Sequence, residues 1–170
     1  MKFFFIILLF SFYSLFNACE IVYPQAQLLE AIKSQNDAGN SQIIKDHSIN
    51  VCDDKGNTLL IALATNAQLA EDDKARLTSI QCLIKWGADI NAQNNAGDTA
   101  LLQAINNSSK LALELLDLGA DVQPKNNKGK TASDIVQLQM NIEEPLPCYI
   151  FFNLQKIAKI IEERRLQKLL

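Results

Sequence analysis

The stretch "GADINAQNNAGDTALLQAI" runs from Gly87 to Ile105, and "GADVQPKNNKGKTASDIV" restates it from Gly119 to Val136, 32 residues further on. In both, Gly-Ala-Asp follows an apolar helical run, "SIQCLIKW" in the first case and "LALELLDL" in the second. Glycine there can take the left-handed conformation that ends a helix. A β-branched residue then leads into a stretch rich in Asn, Asp and Gly, which is turn chemistry. Gly-x-Thr closes the phrase ahead of a new apolar segment, for which Thr is a good N-cap. Each copy therefore predicts a turn, a helix, a loop and a second helix.

Aligning on Gly-x-Thr brings in an earlier copy. The three are "INVCDDKGNTLLIALATN" from Ile49, "INAQNNAGDTALLQAINN" from Ile90 and "VQPKNNKGKTASDIVQLQ" from Val122. Their threonines, Thr58, Thr99 and Thr131, stand 41 and 32 residues apart. Self-similarity at such a period marks stacked repeats, each one supersecondary unit that cannot bury its apolar face alone. The longer first spacing puts about nine extra residues within "NAQLAEDDKARLTSIQ", read as a longer inter-helix loop or an added helical turn beginning near Glu71.

The second copy, "ADINAQNNAGDTALLQAINNSSKLALELLDLGAD", resembles the ankyrin repeat along almost a whole unit. The family pattern is roughly Asp-Val-Asn-Ala, a turn, Gly-x-Thr-Pro-Leu-His, then two antiparallel helices. The resemblance is strong in the turn of the first copy, weaker in the third, and spans about Leu28 to Leu170 with caps included. Where the family has Pro this chain has Leu59, Ala100 and Ala132; where it has His, this chain has Ile61, Leu102 and Asp134. The hydrogen bonds made by the family His are thus replaced by something else. The fold expected is all-α, an ankyrin-type solenoid of helix-turn-helix units with short β-turn tips, about three repeats plus caps.

Both ends fit a stack that must hide its outer faces. "QAQLLEAIKSQNDAGNSQIIKDHSIN" reads as two short helices capping the N-terminal side. Downstream, one helix from Thr131 to Asn141 is broken by "EEPLP", and "CYIFFNLQKIAKIIEERRLQKLL" sets Ile150, Leu154, Ile157 and Ile161 on one helical stripe. The aromatic trio Tyr149, Phe151 and Phe152 is expected to close the end of the stack, with a docking patch as the other reading.

The N-terminus is of another kind. Lys2 precedes an apolar run from Phe3 to Phe16, interrupted only by Ser11 and Ser14. As a helix those residues span about 21 Å, short of the roughly 30 Å hydrocarbon core, and the pattern is that of a secretory signal peptide. "LFNAC" at its end resembles the lipobox of bacterial lipoproteins, which implies diacylglyceryl transfer to Cys19; ordinary cleavage after Ala18 is the rival. The divisions are then residues 1–18 as signal, 19–26 as a short tether and 27–170 as the repeat domain. Within it lie the cap at 27–48, units at 49–89 and 90–121, and a degenerate unit with C-terminal cap at 122–170.

No catalytic constellation accompanies these repeats. The single histidine, His47, lies five residues before Cys52, where the pattern places a turn and its approach. Cys19, Cys52, Cys82 and Cys148 form no Cys-x-x-Cys or Cys/His cluster, so neither zinc nor dithiol redox chemistry is indicated; Cys82 and Cys148 are expected to be buried thiols. "DDKGN" from Asp53 lacks the spaced ligands and closing Glu of a calcium loop, and there is no phosphate-binding glycine loop. A net charge of −3 without a Lys/Arg run argues against a nucleic-acid partner. No enzyme activity, metal, cofactor or small-molecule substrate is expected.

What the resemblance implies instead is a protein partner, held by residues of the turn tips. By position these are Cys52, Asp54, Lys55 and Asn57 in the first copy and Gln93, Asn95, Ala96 and Asp98 in the second. The third supplies Lys125, Asn127, Lys128 and Lys130. In that order the tips pass from mixed and acidic, through neutral amide, to basic, and acidic groups on the partner would face the three lysines. The expected protein is a monomeric, non-enzymatic binding module, exported and anchored by lipid in a bacterial envelope or free in the periplasm. The alternatives are a secreted effector acting on host proteins and an inhibitor or immunity-type protein that blocks an enzyme.

Overall fold

The computed structural model describes residues 49–66, 73–141 and 147–168. Among them the architecture is all-α, with six helices and no strand: α1 (Leu59–Thr65), α2 (Asp73–Lys85), α3 (Ala100–Asn107), α4 (Ser109–Asp117), α5 (Ala132–Met140) and α6 (Cys148–Gln167). The signal and tether, the N-terminal cap with His47, and the part of the insertion at 67–72 lie outside the described residues.

Each helix that follows Gly-x-Thr starts on that threonine. Thr58, Thr99 and Thr131 sit in extended backbone and accept from the N–H groups of Ile61, Leu102 and Asp134 at 3.4, 3.3 and 3.4 Å. This satisfies one of the N–H groups that a helix start leaves without an intrahelical partner. Ser108 does the same for α4 through the Leu111 N–H. The helix ends are equally regular. Gly119 (φ +96°) donates to Leu116 O and Ala120 to Leu115 O, while Gly87 (φ +93°) donates to Ile84 O and Ala88 to Leu83 O. This pair of bonds around a left-handed residue is the Schellman closure, and a residue with Cβ is strained there.

Helices pack as hairpins, α1 with α2, α3 with α4 and α5 with α6, and the first helices stack in a row, α1 on α3 and α3 on α5. The core lies between these layers. Leu59, Leu60, Ile61 and Leu63 of α1, Leu101 and Leu102 of α3, Leu111, Leu115 and Leu116 of α4, and Ile135 and Val136 of α5 are all buried. Ile61 and Leu102 show what replaces the polar histidine of the resembled pattern: they are apolar side chains at 0 % and 2 % exposure, part of the core. Asp134 is a third solution. Its carboxylate accepts from the Thr131 N–H and hydroxyl, both at 2.8 Å, and forms a capping box at the start of α5.

α6 covers α4 and α5 with Leu154, Ile157 and Ile161 buried and Ile150 packed against the core. Polar bonds fix its course. Asn153 donates to Ser109 Oγ at 3.1 Å, and the Arg164 guanidinium donates to Leu116 O and to Ala120 O, the latter at 2.9 Å. Lys168 pairs with Asp121 at 3.0 Å. Arg164 thus supplies cationic donors to carbonyls at the C-terminal end of α4, where the helix dipole favours positive charge.

Two expectations fail here. Tyr149, Phe151 and Phe152 do not close the stack; they are 68 %, 41 % and 68 % exposed. Their positions explain it, since Tyr149 and Phe152 continue into Lys156 and Lys159 on the side of α6 opposite Leu154 and Ile157. Nor are the thiols core residues. Cys148 is exposed and Cys82 half-buried, because the buried stripe of α2 runs through Arg76, Ser79, Ile80 and Leu83.

Candidate functional site

The turn tips repeat one hydrogen-bonded device. In the second tip the Asn94 side-chain oxygen accepts from the N–H groups of Ala96 and Asp98 at 3.0 and 2.9 Å, while Gly97 donates to Asn94 O at 2.8 Å. In the third, Asn126 takes the N–H groups of Lys128 and Lys130, both at 3.0 Å, and Gly129 donates to Asn126 O. In the first, Asp53 takes those of Lys55 and Asn57 at 2.9 and 2.8 Å and adds the Asn57 side-chain N–H at 3.0 Å. Each tip thus winds around one Asn or Asp that binds its own backbone two and four residues on. Desolvation alone would raise the Asp53 carboxyl, but the bonds from Asn57 and Lys55 outweigh it and hold its pKa below the ordinary value.

The tips are also bonded to one another. Asn95 donates its backbone N–H to Lys55 O at 3.0 Å and its side-chain N–H to Asp54 O at 3.0 Å. Asn127 repeats both bonds on the preceding tip, to Ala96 O and to Asn95 O, each at 2.9 Å. The central residues join as well: Asn94 donates to Asn57 Oδ1 and Asn126 to Asp98 Oδ1, both at 2.9 Å. Gln93 reaches Lys125 O at 3.0 Å. At the base of the tips, Asp89 N–H goes to Asn50 Oδ1 at 2.9 Å and Asp121 N–H to Asn91 Oδ1 at 2.8 Å.

This divides the twelve predicted partner-binding residues. Asn57, Gln93, Asn95, Asp98 and Asn127 hold the tips together through their side chains, and Gln93, Asn95 and Asn127 also remain exposed. Cys52, Asp54, Lys55, Ala96, Lys125, Lys128 and Lys130 present exposed side chains along the row. Sequence reasoning passed over Asp53, Asn94 and Asn126 as tip centres, although their spacing of 41 and 32 residues repeats that of the threonines. It also passed over Arg165, which lines the same open groove of about 410 Å³ as Lys125, Gly129, Ser133 and Gln137.

Among the described residues no group of three or more His, Cys, Asp or Glu could hold a metal ion, and no helix is long and apolar enough to cross a membrane. No family model and no curated protein matches the chain.

Proposed function

We propose that this chain is an ankyrin-type repeat protein without enzymatic activity that binds another protein through the row of turn tips. The single observation that carries the reading is the pair of hydrogen bonds that the second and third tips each make to the tip before, Asn95 to Asp54 and Lys55 and Asn127 to Asn95 and Ala96. Backbones tied in this way form one rigid strip, which presents Lys55, Ala96 and Lys128 at fixed intervals. Rigidity of that kind lowers the ordering cost of association. A photo-crosslinking residue at Ala96 should capture a specific protein in cells of the source organism, whereas one at exposed Glu163 on α6 should not. Equal labelling from both positions would defeat the reading.

The proposal includes export, with Cys19 as the lipid-bearing mature N-terminus in a bacterial envelope. Its support is the short apolar run and the "LFNAC" boundary in the sequence. Intact mass after expression in a bacterial host tests it directly. A chain starting at Cys19 with two or three acyl groups is the expected result, and an unmodified chain from Met1 would sink the anchor.

A further inference from the structure

The third tip, unlike the first two, has no further tip seated on its glycine. Gly56 and Gly97 each carry the next tip on top of them: a Cβ added at Gly56 would lie 2.8 Å from Asn95 N, and one added at Gly97 would lie 2.8 Å from Asn127 N. Gly129 holds the same place in the third tip, with nothing within 4 Å. The carbonyls that would receive a fourth tip are Lys128 O, matching Lys55 O and Ala96 O, and Asn127 O, matching Asp54 O and Asn95 O. Neither accepts a bond among the described residues. One position breaks the series. Where the earlier tips offer an acceptor, Asn57 Oδ1 and Asp98 Oδ1, the third has Lys130, a donor and a cation.

We infer that this open edge of the third tip is a docking site for an acidic turn of a protein partner. The turn seats a backbone N–H and a side-chain amide on Lys128 O and Asn127 O, and it places a carboxylate against Lys130. The inference rests on the protein-binding reading above and narrows it to one edge and one chemistry. Two independent features select the occupant. The seat is the interface the chain already builds twice between its own tips, so its geometry suits a polypeptide turn. The charge around it is complementary to acid: Lys125 and Arg165 line the groove beside Gly129, and the exposed Lys128 and Lys130 flank Gly129 in the chain. The one carboxylate lining that groove, Asp134, accepts two bonds from Thr131 and is outnumbered by the groove's cations Lys125 and Arg165. An inorganic phosphate or a phosphatidylglycerol headgroup would satisfy the cations but brings no N–H donors for the two carbonyls. A polypeptide satisfies both.

The test is a fluorescent peptide with the sequence of the second tip, Gln93 to Thr99, carrying Asn94→Asp and cyclised through added terminal cysteines. Its Asp would meet Lys130 as Asn94 meets Asn57. Titrated with the full-length chain, it should bind with an affinity that falls as salt is raised. Lys128→Glu with Lys130→Glu should weaken it about tenfold, as expected for reversed charge at a contact. Gly129→Asn adds a side chain in the empty seat without changing charge, and Asn tolerates the left-handed backbone better than other non-glycine residues; it too should cost about tenfold, or 1.4 kcal/mol. Circular dichroism confirms that each variant keeps its helices. Undiminished binding to Gly129→Asn would overturn the edge as the site while leaving the tip row as a binding surface. Absence of binding at millimolar protein would overturn the inference as well. So would complete displacement of the peptide by phosphatidylglycerol vesicles bound equally by wild type and Gly129→Asn, since a bare cationic patch would then explain the data.

Discussion

Residues in equivalent places do unequal work, and the glycines of the tips show it. Gly97 and Gly129 share a left-handed φ, +75° and +72°, yet only Gly97 lies beneath another tip. Alanine at either site carries the backbone penalty, of order 1 kcal/mol. At Gly97 the new methyl also meets Asn127 Oδ1 at 2.7 Å and must push the third tip away. Urea unfolding should therefore find Gly97→Ala less stable than Gly129→Ala by at least about 1 kcal/mol. Equal losses would mean that the tips separate freely. Aspartates supply a second residue-level prediction. Hydrogen bonds from the Thr131 N–H and hydroxyl lower the Asp134 pKa; at Asp121, desolvation would raise it but the bond from Lys168 and the Gln123 N–H bring it down. A carboxyl whose folded pKa is depressed contributes stability that is whole above the unfolded value, about 4, and is lost as pH falls through the folded value. Stability should thus drop below about pH 4, and Asp134→Asn should flatten that drop. An unchanged acid limb in Asp134→Asn would assign the loss to other groups.

The elements were legible where their signals are local. Threonine caps and glycine closures depend on a few consecutive residues, so Thr58, Thr99, Thr131, Gly87 and Gly119 could be placed from spacing alone. The buried stripe of α6 was legible for the same reason. Its aromatic residues were not, because hydrophobicity suggested burial while helical phase set Tyr149 and Phe152 beside Lys156 and Lys159. The bonds between neighbouring tips were not legible. Asn95 and Asn127 look like free surface amides until neighbouring tips are brought into register, and register is a long-range property. Arg164 was invisible for that reason too, since its targets Leu116 O and Ala120 O lie more than forty residues away. Arg164→Met keeps the stem and removes those bonds, so it should cost about 1.5–3 kcal/mol, the range for hydrogen bonds to charged groups. Amides of α6 should then exchange with deuterium faster while those of α3 keep their protection. A uniform change in both helices would show that α6 does not open by itself.

At the scale of the whole molecule, stability is shared between neighbours. α3 lies between α1 and α5, so Leu101, at 0 % exposure in α3, supports units on both sides. Leu101→Ala should cost about 2–5 kcal/mol. The loss should reach beyond its own unit because each repeat is stable only against the next. Trp86, the single tryptophan, stands half-buried just after α2 and reports on the first unit. Its fluorescence should lose as much urea resistance in Leu101→Ala as the overall helix signal does. A Trp86 transition that stays in place would show that the first unit folds alone.

Lys130 also bears on how such a chain can change its length. A unit added beyond the third must fit what it lands on. A fourth unit duplicated from the second would bring an amide donor at the place of Asn94, where it would face the Lys130 ammonium, donor against donor. Extension at this edge would need either an acceptor restored at position 130 or a unit with a carboxylate at its tip centre, as Asp53 provides in the first. A single lysine thus sets a rule in the grammar of the array: an amide-centred unit is refused at this edge, and an acid-centred one is admitted.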